Sequence, residues 1–161
     1  MNILIVYYSS TENTKSLAYA VKEGAESVKG TKVDIKTTDE VSEDDFLGAD
    51  CIIAGSPVHF GGMSWQLKKT FDKLINIRRD MKNKIGAAFA TSGHHTGGKE
   101  TTMMGIIHAM LICGMIVIGD PFESGGHYGV GSLGKPNEKG LSDGKALGKR
   151  VAEVGKSFNG L

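Results

Sequence analysis

Residues 1–14 read MNILIVYYSSTENT, and this stretch decides the fold. Ile3, Leu4, Ile5, Val6 and Tyr7 form a continuous apolar run, the pattern of a short strand buried on both faces. The run stops at a cluster of small hydroxyl and amide side chains: Ser9, Ser10, Thr11, Asn13 and Thr14. Leu17, Val21, Ala25 and Val28 then recur at helical spacing. A strand, a hydroxyl-rich turn and a helix N-terminus make a phosphate cradle. Free backbone N–H groups and the positive end of the helix dipole converge on the turn.

The same pattern repeats outward from this unit. Lys32 to Lys36 alternates Val33 and Ile35 with charge, as an edge or one-sided strand does. The acidic residues Asp39, Glu40, Glu43, Asp44 and Asp45 predict a solvated turn and a short helix. Cys51 to Gly55 is a second fully apolar strand, running into Ser56-Pro57-Val58-His59-Phe60-Gly61-Gly62. Leu67, Phe71, Leu74 and Ile75 mark an amphipathic helix. Lys84 to Thr91 is a third buried strand, and it too ends in a Gly/hydroxyl loop, Ser92 to Gly98. The helix predicted from Glu100 to Cys113 is apolar on nearly every side, which places it deep in the core or in a subunit interface. Met115 to Ile118 reads as a last short strand, Gly119 to Gly140 as a long loop, and Leu147, Val151, Val154 and Phe158 as a final helix.

This βαβ alternation predicts an α/β protein: an open parallel sheet of five strands with helices on both faces. In such a sheet the carboxyl ends of the strands open on one crevice, and three of them carry ligand-type loops. At 161 residues, 1–161 reads as a single domain. A formal net charge of +1 gives no global attraction for nucleic acid or for a membrane surface. Thr102 to Gly119 is apolar but broken by Gly105, His108 and Gly114, so no membrane span is expected. Without a charged n-region or cleavage motif at the N-terminus, a cytoplasmic location is expected. Cys51 and Cys113 lie in apolar stretches without ligand spacing and read as small buried hydrophobes.

Residue chemistry narrows the identity of the phosphate. No GxxxxGK[ST] loop is present, and the first turn carries no glycine, so neither a Walker loop nor a dinucleotide fingerprint applies. The acidic residues that a phosphorelay receiver needs after its first and third strands are missing, as is the cysteine nucleophile of a small phosphatase. What remains is a phosphate monoester bound by hydroxyls and backbone.

Ser9-Ser10-Thr11-Glu12-Asn13-Thr14 resembles the flavodoxin-family FMN phosphate loop, [ST]-x-T-G-N-T. Gly55-Ser56-Pro57-Val58-His59-Phe60-Gly61-Gly62-Met63 is similar to the second loop of the WrbA-type NAD(P)H:quinone oxidoreductases, G-[ST]-P-x-x-F-G-x-M. Thr91-Ser92-Gly93 through Thr96-Gly97-Gly98-Lys99-Glu100 resembles that family's third loop, and Gly126-His127-Tyr128-Gly129 its C-terminal Tyr-Gly element. The resemblance spans nearly the whole chain, with three loops in register. It implies a three-layer flavodoxin-like fold with strand order 2-1-3-4-5. It also implies FMN as cofactor, with Ser9, Ser10, Thr11, Glu12, Asn13 and Thr14 around the phosphate. Pro57, Val58, His59, Phe60 and Gly61, with Thr91, Ser92, Gly93 and Gly97, would lie around the ring. The implied reaction is two-electron transfer from NAD(P)H through FMN to a quinone-type acceptor. The alternative is a one-electron carrier, a flavodoxin that shuttles between redox proteins.

Glu12 stands where the family has Gly, and a carboxylate there is compatible with a phosphate only if it faces solvent. His59 is read either as a loop-packing residue or as a ring contact and proton donor. His94 and His95 are adjacent and lack a third ligand in sequence, so no metal is expected. His108 is expected in the core or an interface, and the apolar helix around it predicts self-association as a dimer or tetramer. The basic cluster Arg78, Arg79, Lys82 and Lys84 reads as a solvated helix end.

Overall fold

The computed structural model describes residues 1–159. Their order is β1 (Asn2–Tyr7), α1 (Asn13–Glu26), β2 (Lys32–Thr37), α2 (Glu43–Gly48), β3 (Cys51–His59), β4 (Gly62–Met63), α3 (Trp65–Lys73), β5 (Ile85–Ser92), α4 (Lys99–Ile112), β6 (Ile116–Val117), β7 (Val130–Leu133) and α5 (Glu138–Asn159).

The continuous apolar run of β1 is explained by two cores, one on each face of the sheet. Ile3, Ile5 and Tyr7 pack with Leu17 and Val21 of α1 and with Leu147 and Val151 of α5. Leu4 and Val6 point the other way, toward Phe46 of α2, Leu67 of α3, and Ile106 and Met110 of α4. The layers are therefore helix, sheet, helix. α1 and α5 meet closely: a Cβ on Gly148 would lie 1.9 Å from the Val21 carbonyl oxygen, so only glycine admits this contact.

The parallel path runs β2-β1-β3-β5-β6, and β4 and β7 pair outside it with β3 and β5. The sheet thus has seven strands where five were expected: the five of the parallel path lie in the order 2-1-3-4-5 when counted among themselves, and β4 and β7 are added to them. The segment expected as one long loop, Gly119 to Gly140, contains β7. β6 reaches only Ile85 and Gly86 at the start of β5, while β7 pairs with Phe89 to Ser92 at its end. Val130-Gly131-Ser132-Leu133 is too short and too polar to announce a strand; the unpaired edge of β5 recruits it. Gly129 enters it at φ 146°, where an added Cβ would lie 2.0 Å from the Ala88 carbonyl oxygen.

α4 is buried on one side only. Met103, Ile106 and Met110 are buried, but Leu111 and Ile112 are 53% and 66% exposed. His108 is exposed rather than in the core. The apolar residues continue past the buried face onto a side that this chain leaves uncovered. Among the described residues, no helix is long and apolar enough to cross a membrane.

Candidate functional site

β1, β3 and β5 are parallel neighbours, so the loops that leave their carboxyl ends meet at one edge of the sheet. In the first loop, Glu12 is the residue before α1 and sits at φ 64° in the left-handed region. It offers no side-chain cap to the helix. Its carboxylate instead meets Lys15 Nζ at 2.7 Å, 72% exposed, and this partner raises the ammonium's pKa. Ser9 Oγ accepts the Lys15 N–H at 3.3 Å. Ser10 and Thr11 are exposed and Asn13 is half-buried. The helix N-terminus is left ringed by hydroxyls, with the one carboxylate directed away into solvent.

Thr14 and Thr91 lie beneath this loop. Their hydroxyls are 2.8 Å apart and buried. The pleat of β5 sends Thr91 to the same side as Ala87 and Phe89, toward α1, so its hydroxyl reaches Thr14 in the first turn of that helix.

The second loop is a tight hairpin. Val58 pairs with Met63 and His59 with Gly62, leaving Phe60 and Gly61 at the turn with φ 50° and 79°. Two successive positive φ values are the signature of a two-residue I′ turn. Phe60 is the unusual occupant, since a bulky residue is strained there, and its ring is fully exposed. Below the turn, Ser56 Oγ donates to the Pro57 carbonyl at 2.7 Å and accepts the Ser64 N–H at 2.8 Å. Ser64 Oγ caps α3 by accepting the Leu67 N–H at 3.3 Å. The rings of Tyr8 and His59 meet edge-on, 6.0 Å between centres and 79° between planes, and so join the first loop to the second.

The third loop is held by its own polar groups. Ser92 Oγ donates to the His94 carbonyl at 2.8 Å, and His94 Nδ1 lies 3.0 Å from Thr96 Oγ1. Lys99 Nζ donates to the His95 carbonyl at 3.2 Å. Gly98 has φ 96°, and an added Cβ would stand 3.0 Å from Gly61 Cα. Thr101 Oγ1, in the first turn of α4, donates to the Gly61 carbonyl at 2.6 Å. The second and third loops are therefore fastened at their tips.

The structure brings Ser9 to Thr14, Pro57 to Gly61, and Ser92 to Gly97 to one edge; Thr91 belongs to it through Thr14. Sequence reading overlooked Tyr8, Gly98 and Thr101. Tyr8 adjoins the loop it serves, but the Thr101–Gly61 contact spans 40 positions and leaves no local pattern. Lys84, placed in a solvated basic cluster from sequence, is held by the carbonyls of Leu47, at 2.9 Å, and Ala49, and burial pushes its ammonium pKa down. Cys51 is fully buried, with its thiol pushed up to about 12. Among the described residues, no three His, Cys, Asp or Glu side chains group as metal ligands. The crevice thus offers anion donors at one end and exposed apolar and backbone surfaces at the other, a division suited to a phosphorylated ring compound.

Comparison with known proteins places the chain among flavin-related relatives. The family model described as NADPH-dependent FMN reductase matches residues 40–128, which include the second and third loops. A flavodoxin of Aquifex aeolicus is 36% identical, over 94% of this chain and 85% of its own. An NAD(P)H dehydrogenase (quinone) of Archaeoglobus fulgidus is 33% identical, over 97% of this chain and 98% of its own. Among solved structures, a flavodoxin, WrbA-like protein from Agrobacterium tumefaciens superposes with TM-score 0.85 at 27% identity, covering 98% of each chain.

Proposed function

The chain belongs to the NADPH-dependent FMN reductase family, and from that premise we propose that it is an FMN-dependent NAD(P)H:quinone oxidoreductase with FMN held in the three-loop crevice. The observation that carries the reading is the first loop. α1 presents its N-terminus without a cap from Glu12, hydroxyls surround it, and the Glu12 carboxylate is paired with Lys15 in solvent. This donor set suits a phosphate monoester.

Ser9, Ser10, Thr11, Asn13 and Thr14, with the backbone N–H groups at the start of α1, would hold the ribityl phosphate. The hairpin residues Pro57 to Gly61 and the third-loop residues Ser92, Gly93 and Gly97 would flank the ring. Bound flavin supplies the redox chemistry, taking two electrons from a reduced nicotinamide and passing them to a quinone. The chain's own part is placement. The Gly61–Thr101 bond sets the spacing of the two walls, and Phe60 stands fully exposed at the hairpin turn. His59, half-buried against Tyr8, would hold a ring-nitrogen proton for the reduced acceptor.

A second reading, a one-electron carrier, is favoured by the relative from Aquifex aeolicus described as a flavodoxin. Anaerobic mixing of the flavin-loaded protein with NADH or NADPH, followed by a quinone, separates the two. Bleaching and reoxidation are expected; a flavin inert to both nicotinamides selects the carrier, and a protein that takes up no FMN removes both.

The apolar groove between α3 and α4, about 310 Å³ and lined by Met63, Phe71, Ile75 and Ile112, supports the proposal of a homo-oligomer that covers it with a second copy. Gel filtration at high micromolar concentration tests this, and a monomer would refute it.

A further inference from the structure

A separate cavity lies on the α3 side of the sheet, at the edge from which the three loops rise. It measures about 120 Å³ and is lined by Thr38, Asp39, Trp65, Gln66, Lys69 and Lys73, with Thr70 at its wall. Thr38 follows the carboxyl end of β2, and Trp65 and Gln66 form the first turn of α3, shortly after the hairpin whose turn is Phe60 and Gly61.

Two of the residues that line this cavity carry a buried polar atom without a partner among the described residues. Thr38 is only 8% exposed, yet its Oγ1 makes no hydrogen bond; Gln66 Oε1 is likewise unpaired. A buried polar atom without a partner is costly, and native structures pair nearly all of them. The Gln66 side chain can turn its amide over to present Nε2 instead, so both groups can donate.

Two exposed lysines also line the cavity. Lys69 and Lys73 are one helical turn apart, where like charges repel. Lys68 is satisfied by Asp72 at 2.5 Å, but neither Lys69 nor Lys73 has a carboxylate within ion-pair distance among the described residues. The Asp39 carboxylate is the one anion at the rim. Lys69 Nζ also stands 5.8 Å from the centre of the Trp65 ring, whose face is 64% exposed at the cavity mouth.

Two ammonium groups, a hydroxyl and an amide around a small polar cavity match an oxyanion, and a flat aromatic at its mouth matches a base. The volume admits a phosphate group and no ring system. We propose that this cavity binds the 2′-phosphate of NADPH, with the adenine against Trp65, and so sets a preference for NADPH over NADH. The proposal rests on the NAD(P)H-oxidising reading of the crevice, and it adds a residue-level reason for the choice of nicotinamide.

Trp65 is the only tryptophan in the chain, so its fluorescence reports on the cavity directly and without turnover. The full-length protein is titrated with adenosine 2′,5′-bisphosphate, adenosine 5′-monophosphate and inorganic phosphate. Saturable quenching by the bisphosphate, at least tenfold tighter than by either other probe, is expected. The double variant Lys69→Gln/Lys73→Gln, which alters exposed side chains only, should lose that difference. It should also raise the KM for NADPH about tenfold, leaving kcat and the KM for NADH unchanged. Thr38→Val should weaken the bisphosphate severalfold and is the independent variant. Equal binding of inorganic phosphate and the bisphosphate would overturn the nucleotide assignment. Unchanged Trp65 emission, or full binding by the double variant, would overturn the site. If the bisphosphate binds as expected while neither nicotinamide reduces the flavin, the cavity stands and the quinone-reductase reading falls.

Discussion

Thr14 Oγ1 and Thr91 Oγ1, 77 positions apart in sequence, lie 2.8 Å from each other in the interior. The bond ties the first turn of α1 to the end of β5 and fixes the rotamer of Thr14 under the phosphate loop. Thr91→Val keeps the shape and strands the Thr14 hydroxyl, which is worth about 1–3 kcal/mol. Urea denaturation should show a loss in that range, with FMN binding weakened severalfold. Thr91→Ser should restore both, and a Val variant as stable as the parent would show the bond to be idle.

Glu12 occupies a left-handed position at φ 64° while its carboxylate faces water beside Lys15. Replacing it with Gly removes the conformational penalty but gives the unfolded chain more freedom, so a net gain of about 1 kcal/mol is expected. Because the charge already points away, FMN affinity should change less than about twofold. A dissociation constant that tightens tenfold would mean the carboxylate turns toward the phosphate.

Thr101 holds the hairpin tip through the Gly61 carbonyl at 2.6 Å. In Thr101→Val, amide hydrogen exchange across residues 60–63 should accelerate by about an order of magnitude, with global stability falling by only about 1 kcal/mol. Thr101→Ser should restore protection. Unaltered exchange in the valine variant would place the fastening elsewhere, in the Gly61–Gly98 backbone contact.

Asp45 supplies a pH dependence. Burial works against its charge, but Lys36 Nζ at 2.7 Å and the Ser42 N–H and hydroxyl, each at 2.8 Å, hold its carboxyl below the ordinary 3.8. A depressed carboxyl stabilises the fold above its unfolded pKa and loses that contribution as the pH falls through the folded value. Asp45→Asn should therefore cost about 1 kcal/mol at pH 7, as the loss of a helix cap does, and progressively less below about pH 4. Thermal melts at both pH values check it; a penalty constant with pH would assign the effect to packing.

Strand periodicity and loop chemistry are local properties, and that is why so much here was legible from one chain. A run such as Ile3 to Tyr7 has to be covered on both sides, so a parallel sheet between helix layers follows from it directly. Ser9 to Thr14 could be read as a turn before a helix because small hydroxyl and amide side chains serve the free N–H groups there, and that too is a local property. Contacts between loops obey no such period. The direction of the Glu12 carboxylate depends on a left-handed backbone and on Lys15. The orientation of Thr91 depends on the pleat of β5, and the Thr101–Gly61 bond on the placing of α4. β7 exists because β6 leaves half of β5 unpaired, which its own four residues do not disclose. Likewise Thr38 and Gln66, 28 positions apart, come to line one cavity only through the tertiary fold. The opening fourteen residues thus determined a buried strand, a hydroxyl-rich turn and the start of a helix without help from the rest of the chain. Tertiary packing alone decided which of their polar groups face an incoming ligand, because that is set by atoms brought in from distant strands.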